Sequence, residues 1–329
     1  MKRFSSLICR RLVGAIPVIL TVILVCYVLI ELAPGDAVDS YLAVSGGDRE
    51  FAASLRHMWG LEQGFAARLI TYLARLITFD LGQSLIFSRP VLDVIAERFP
   101  NTLLLMGASI GLAFGVGTFF GLIAGSRPYS WYDRFLCLMA SLLYAIPSFW
   151  FALVLIIVFS VKLSLLPVGG LESVSSDKQG MDHFIDIAQH LILPISALGL
   201  IYLGVYLRLM RSGMIEVWRL DFIRTARAKG LTQTQIILNH VARNALLPVV
   251  TMFGLQLGSM FGGSVVIESV FAIPGFGRLA YEAVTQRDLS LLMGVIIVSA
   301  ISVIITNILV DLAYSWLDPR IGTERKIET

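Results

Sequence analysis

"NTLLLMGASIGLAFGVGTFFGLIAG", residues 101–125, contains no charged side chain, and this decides the solvent in which the chain folds. A helix needs about 20 apolar residues to cross the roughly 30 Å hydrocarbon core of a bilayer, and this run is long enough. The whole chain agrees with it: 57% of residues are hydrophobic and 15% charged, whereas globular domains carry about 25% charged residues. A formal net charge of +3 is too small to suggest a nucleic-acid partner. Cys9, Cys26 and Cys137 form no CxxC pair and lie in or beside apolar segments, so neither a disulfide framework nor a metal site is supported.

Similar runs occur at 12–32, 137–161, 191–210, 246–270 and 291–314, so the expectation is an all-α integral membrane protein with six transmembrane helices. Short loops rich in Lys and Arg remain in the cytoplasm. Lys2, Arg3, Arg10 and Arg11 precede the first run, and Arg127 and Arg134 separate the second from the third, which puts both termini inside. The chain then divides into a cytoplasmic N-terminus (1–11), a first transmembrane helix (12–32), an external cap segment (33–100), a membrane core (101–314) holding a cytoplasmic loop (211–245), and a cytoplasmic tail (315–329). The first run exceeds the usual apolar length of a signal peptide, and no A-x-A-like site follows it. Within the cap, Phe65, Leu69, Leu73 and Leu76 follow helical spacing. Both a lid over the membrane core and a docking surface for an external partner fit that pattern. His183 and His190, in the more polar stretch at 162–190, have only scattered carboxylates around them and read as surface residues rather than ligands.

Glycines recur at helical spacing: Gly107, Gly111 and Gly115; Gly117, Gly121 and Gly125; and Gly254, Gly258 and Gly262. In lipid no hydrophobic force brings helices together, so small residues that admit close backbone approach mark contact faces. Packing within the chain is the first reading and contact with a second membrane subunit the other, with the fifth run as the candidate for it.

The segment 208–243 is the most basic loop, with Arg208, Arg211, Arg219, Arg224, Arg227, Lys229 and Arg243 against Glu216 and Asp221. Asp221 is positioned to cap a helix over 222–229, and Gly230 to end it in a left-handed conformation. Thr232 and Gln235 have the spacing of a capping box that opens a second helix, running from Gln233 through Ile236, Ile237 and Val241 toward Pro248 at the membrane. On the first helix Phe222, Thr225, Ala226 and Lys229 share a face that could insert into another protein. The same charges would also suit a helix lying on anionic lipid. An early stop at Gly230 fits a docking knob better than a surface anchor.

"RTARAKGL" (224–231) followed by "RNALLPVV" (243–250) resembles the cytoplasmic signature loop of ATP-binding-cassette importer permeases of the dipeptide and oligopeptide type. "LAPGD" (32–36), "DLGQSL" (80–85), "FAIPGFGRL" (271–279) and "LDPRI" (317–321) are similar to segments of that family in the same order, specifically of the first of its two permease subunits. The broader importer pattern places Glu-Ala-Ala six residues before the loop glycine; here Arg224, Thr225 and Ala226 stand there, so no salt bridge of that glutamate carries over. The resemblance implies a type I ABC importer permease fold in the bacterial inner membrane. It also implies a partner set: a second, homologous permease subunit, two ABC ATPase subunits or domains, and a periplasmic substrate-binding protein that delivers cargo to an outward-open cavity. The coupling helix that docks in an ATPase groove would comprise Asp221, Phe222, Arg224, Thr225, Ala226, Arg227, Lys229, Gly230 and Leu231. Peptides are the implied cargo; nickel chelates, glutathione and some sugars use close relatives.

No GxxxxGK[ST] loop is present, so ATP and Mg would be bound by the partner ATPases and this chain would hold no cofactor. No carboxylate pair, Ser/His/Asp set or metal-ligand cluster supports an enzyme. Glu31 and Glu268 fall at external span ends and Asp311 toward the inner end of the last, where a carboxylate can reach water or a partner. A secondary transporter working without ATPases would show an ionisable residue near a span centre or unwound repeats, and neither occurs. "YAIPSFWFA" (144–152) should kink at Pro147. Ser148, Trp150 and Gln256 are the polar or aromatic candidates for lining the translocation path.

Overall fold

The computed structural model describes residues 2–32, 38, 42, 48–58, 64–78, 80–173, 180–260 and 264–317, and their regular structure is helical apart from a bridge between Gln83 and Pro90. Residues 33–36 and 318–321 of two quoted motifs, Gly262, and the side chains of Cys9, Glu31 and Asp311 lie outside the described set. In chain order the helices are α1 (Lys2–Leu32), α2 (Arg49–Met58), α3 (Phe65–Ile77), α4 (Val91–Ser126) and α5 (Trp131–Ala145). α6 (Ser148–Leu155) continues as a π-helical turn over Ile156–Lys162 and is followed by α7 (Met181–Val217) and α8 (Asp221–Ala228). α9 (Gln233–Ile236) runs through a second π-helical turn, Ile237–Ala242, into α10 (Arg243–Gly258). α11 (Val265–Val270), α12 (Phe276–Thr285) and α13 (Leu289–Leu317) complete the described chain.

Among the described residues four helices are long and apolar enough to cross a membrane: Val91–Ser126, Met181–Val217, Gln233–Gly258 and Leu289–Val310. A fifth span forms if Trp131–Ala145 and Ser148–Lys162 count together, although they meet at 100°. α1 contains the shorter apolar stretch Val13–Leu29. The expected kink at Pro147 is therefore a break. Proline disfavours helical backbone in the residue before it; Ile146 is extended (φ −82°, ψ 129°), and the helix stops and restarts with Pro147 as the new N-cap.

The fifth run needs correction as well. The membrane run expected over 246–270 ends as a helix at Gly258, and it is continuous with the second loop helix, which starts at Gln233 as expected. The capping box at Thr232 starts it, and the π-helical turn carries it without interruption past Asn239 and Arg243.

The chain forms two compact units. In the unit of residues 1–100 and 275–308, α3 meets α1 through Tyr27, whose ring centroid lies 5.6 Å from Phe65 and 5.9 Å from Tyr72. "DLGQSL" forms a tight turn here: Gly82 (φ +82°) donates its N–H to the Asp80 carboxylate at 2.9 Å. Asp288, fully buried, accepts from Ser84 Oγ (2.6 Å), the Ile86 N–H (3.1 Å) and the Leu291 N–H (3.0 Å). One carboxylate thus caps α13 and fastens the turn.

In the unit of residues 101–274 and 309–329, α7 is the central element. Gly117, Gly121 and Gly125 of α4 lie against it so closely that a Cβ would stand 2.7 Å from the Leu203 carbonyl, 2.6 Å from the Leu207 carbonyl and 2.8 Å from Met214. Gly204 of α7 approaches α5 in the same way, at 2.7 Å from the Ala140 carbonyl. These glycines are internal contact faces, as one of the two readings held. At Gly107, Gly111 and Gly115 no described residue beyond their own helix backbone comes within 4 Å of where a Cβ would stand. At the start of this unit Glu268 is fully buried and accepts from Thr102 Oγ1 at 2.6 Å, so it meets protein rather than water. In "FAIPGFGRL" the Pro274 carbonyl accepts from Asn101 Nδ2 (2.7 Å) and the Phe271 carbonyl from the Gly170 N–H (2.7 Å).

Candidate functional site: the helix between α7 and α9

The loop folds as helix, glycine, helix, and each joint has a local cause. α7 ends at Val217, and the Trp218 indole N–H donates to the Gly125 carbonyl of α4 at 3.2 Å. Leu220 is extended and takes the N-cap position of α8 with no side-chain cap bond. This corrects the role given to Asp221, which is the first helical residue. Its carboxylate still lies at the positive end of the helix, and it is 3.6 Å from Arg224 in a highly exposed pair of the kind that contributes little.

At the other end Gly230 has φ +79°, and the Leu231 N–H reaches back to the Ala226 carbonyl (3.4 Å). That left-handed residue with a six-to-one bond is a Schellman closure. Thr232 and Gln235 make both halves of the capping box, at 3.0 and 3.4 Å. Three residues therefore connect α7 to α8 and four connect α8 to α9.

The two sides of α8 differ. Ile223 (1% exposed) and Ala226 (5%) enter a core with Met210, Met214, Ile236, Val241 and Ala245. Phe222 is 40% exposed, and Arg224, Thr225, Arg227 and Lys229 are exposed. Phe222, Thr225 and Lys229 form the presented surface that spacing suggested. Ala226 is not part of it, because the helix seats on its own unit through that residue. Ile223 was missed; its signal was its three-residue spacing from Ala226, the spacing of neighbours on one helix face.

Behind the site a buried ion pair braces α7 against α5. The Asp133 carboxylate, 1% exposed, receives both Arg211 Nε and Nη2, the latter at 2.8 Å, and also the Tyr129 N–H at 2.7 Å. A bidentate guanidinium plus a backbone donor satisfies a carboxylate that burial would otherwise penalise heavily.

The path candidates are less coherent. Ser148 is half-buried in the first turn of α6, Trp150 is about half exposed, and Gln256 of α10 faces the Tyr202 hydroxyl of α7. They do not share either hollow described in this unit, one of which is lined by Thr118, Met210, Asn239 and Arg243 and the other by residues around Trp218.

Residues 117–323 match the family of binding-protein-dependent transport system inner membrane components. The chain is 37% identical over 320 residues to the oligopeptide transport system permease protein AppB of Bacillus subtilis, covering 96% of this chain and 99% of that one. It is 36% identical over 336 residues to the di/tripeptide transport system permease protein DppB of Pseudomonas aeruginosa, with 97% and 99% covered. Among solved structures, a chain of the MetNI methionine ABC transporter in inward-facing conformations superposes with a TM-score of 0.55 at 18% identity, covering 69% of this chain and 97% of that chain. At that identity the likeness is one of fold.

Proposed function

The chain belongs to the family of binding-protein-dependent transport system inner membrane components, and from that premise we propose that it is the permease subunit of an ATP-driven peptide importer that takes its motion from partner ATPases through α8. The observation that carries this reading is the division of α8 into a seated side, Ile223 and Ala226, and a presented side, Phe222, Thr225 and Lys229. A short helix held from behind and joined at both ends to membrane-length helices suits transmission of force. A lipid anchor would gain from a longer apolar face than Phe222 alone supplies.

In this reading the chain spans the inner membrane six times with both termini cytoplasmic, and pairs with a second permease to enclose the path. Two ATPases bind ATP and Mg. Their closure pushes on Phe222 and Lys229, and α7 and α9–α10 move together because the connections at 218–220 and 229–232 are short. The Asp133–Arg211 pair carries that motion to α5. Peptide cargo follows from the likeness to an oligopeptide and a di/tripeptide permease along nearly the whole chain. Purification with native partners tests both parts. Two ATPases and retained peptide masses are expected; a retained nickel chelate, glutathione or sugar would replace the cargo, and absence of any ATPase would defeat the coupling reading.

A further inference from the structure

The basic loop holds cations that the presented side of α8 does not account for. Arg219 and Arg227 border a hollow of about 290 Å³ whose wall also includes Ser126, Tyr129, Trp218 and Gln233. The Arg227 guanidinium sits 5.3 Å from the centroid of the Trp218 ring, and that ring is fixed to α4 by its bond to the Gly125 carbonyl. Neither arginine has a carboxylate within 4.0 Å among the described residues. Asp133, the carboxylate that receives the Tyr129 N–H, is taken by Arg211.

Two cations without counter-charges, with hydroxyl and amide donors beside them, suit a phosphate group. Tyr129 of the wall and the aromatic residues that follow it in the chain indicate which phosphate. Tyr129, Trp131 and Tyr132 are each more than half exposed at the end of α4 and the start of α5, with Trp131 and Tyr132 stacked at 4.0 Å. Exposed Trp and Tyr at helix ends mark the headgroup level of a bilayer.

We propose that the hollow between Tyr129, Trp218, Arg219 and Arg227 binds the headgroup phosphate of an anionic phospholipid from the cytoplasmic leaflet. The cytoplasmic assignment rests on the orientation given under Proposed function; the binding chemistry does not. A headgroup there would tie Arg227 of α8 to the end of α4 and so set how firmly the coupling helix is held.

Native mass spectrometry of the purified full-length chain, titrated with phosphatidylglycerol or phosphatidylcholine, tests this. The wild type should retain one phosphatidylglycerol in clear preference to phosphatidylcholine. Arg219→Gln should weaken that retention about fivefold, in line with one cation at a membrane surface, and Arg219→Lys should keep most of it. Arg134→Gln, an exposed arginine of α5 outside the hollow, should leave it unchanged. Equal retention of the two lipids, equal loss in Arg219→Gln and Arg134→Gln, or full displacement of the lipid by inorganic phosphate would each overturn the proposal. The measurement contains no ATPase, so its failure and a failure of the coupling reading are distinguishable.

Discussion

The two sides of α8 are built from the same eight residues and have opposite fates. Ile223 and Ala226 disappear into the core around Met210 and Met214, whereas Phe222, one position earlier, keeps 40% of its surface although it is the largest apolar side chain of the helix. Burial of an aromatic ring is among the larger stabilising contributions available to a fold. A fold that buries the small alanine fully and the phenylalanine only in part leaves some of that contribution unused within the chain, and under the proposed reading a partner surface supplies the rest. The inner side seats the helix, and in the proposed reading the outer side meets a partner.

Substitutions on the two sides should separate stability from transport. The largest effect on stability should come from Ala226→Glu, which places an unpaired carboxylate in the seat of the helix; a loss of about 3–5 kcal/mol should appear as failure to accumulate folded chain or a sharp fall in the melting temperature in detergent. Ile223→Ala should follow at about 2–3 kcal/mol, read in the same melting experiment. Gly230→Ala should be milder. Among the described residues no atom beyond its chain neighbours lies within 4 Å of the position a Cβ would take, so its cost is that of the left-handed backbone, about 1 kcal/mol. Phe222→Ala removes a ring that is partly covered and should cost about 1–2 kcal/mol, less than Ile223→Ala, yet should lower ATP-dependent uptake in reconstituted vesicles about tenfold or more. Uptake that follows stability across all four variants would remove the distinction between the sides.

Much of the membrane architecture was legible because a run such as 101–125 leaves no other solvent for its side chains. Its glycines show where that legibility stops. Gly107, Gly111 and Gly115 have the same spacing as Gly117, Gly121 and Gly125, yet the second set meets α7, and at the first set no other helix among the described residues comes within 4 Å of where a Cβ would stand. Spacing gives a face; which helix arrives at it depends on the rest of the fold. The helix, glycine, helix plan of the loop was readable because a left-handed Gly230 and the Thr232–Gln235 box are local. Asp221 misled because Leu220 could adopt the extended N-cap backbone without a capping side chain. The second loop helix was likewise legible from Gln233 toward Pro248, because its capping box is local and Ile236, Ile237 and Val241 supply its apolar positions; what spacing did not show is that it is continuous with the fifth membrane run and that this run stops at Gly258. Ala226 was assigned outward because helical spacing cannot tell which of two faces the core will take.

The most direct test of the coupling role is a photo-cross-linking scan, with a benzophenone amino acid placed singly at each position from 221 to 229 in the assembled transporter. Cross-links to an ATPase subunit are expected from positions 222, 225 and 229, changing in intensity when ATP is added, with none from 223 or 226. Cross-links to lipid alone from 222, 225 and 229, or ATPase cross-links from the seated positions in a chain that melts normally, would contradict it.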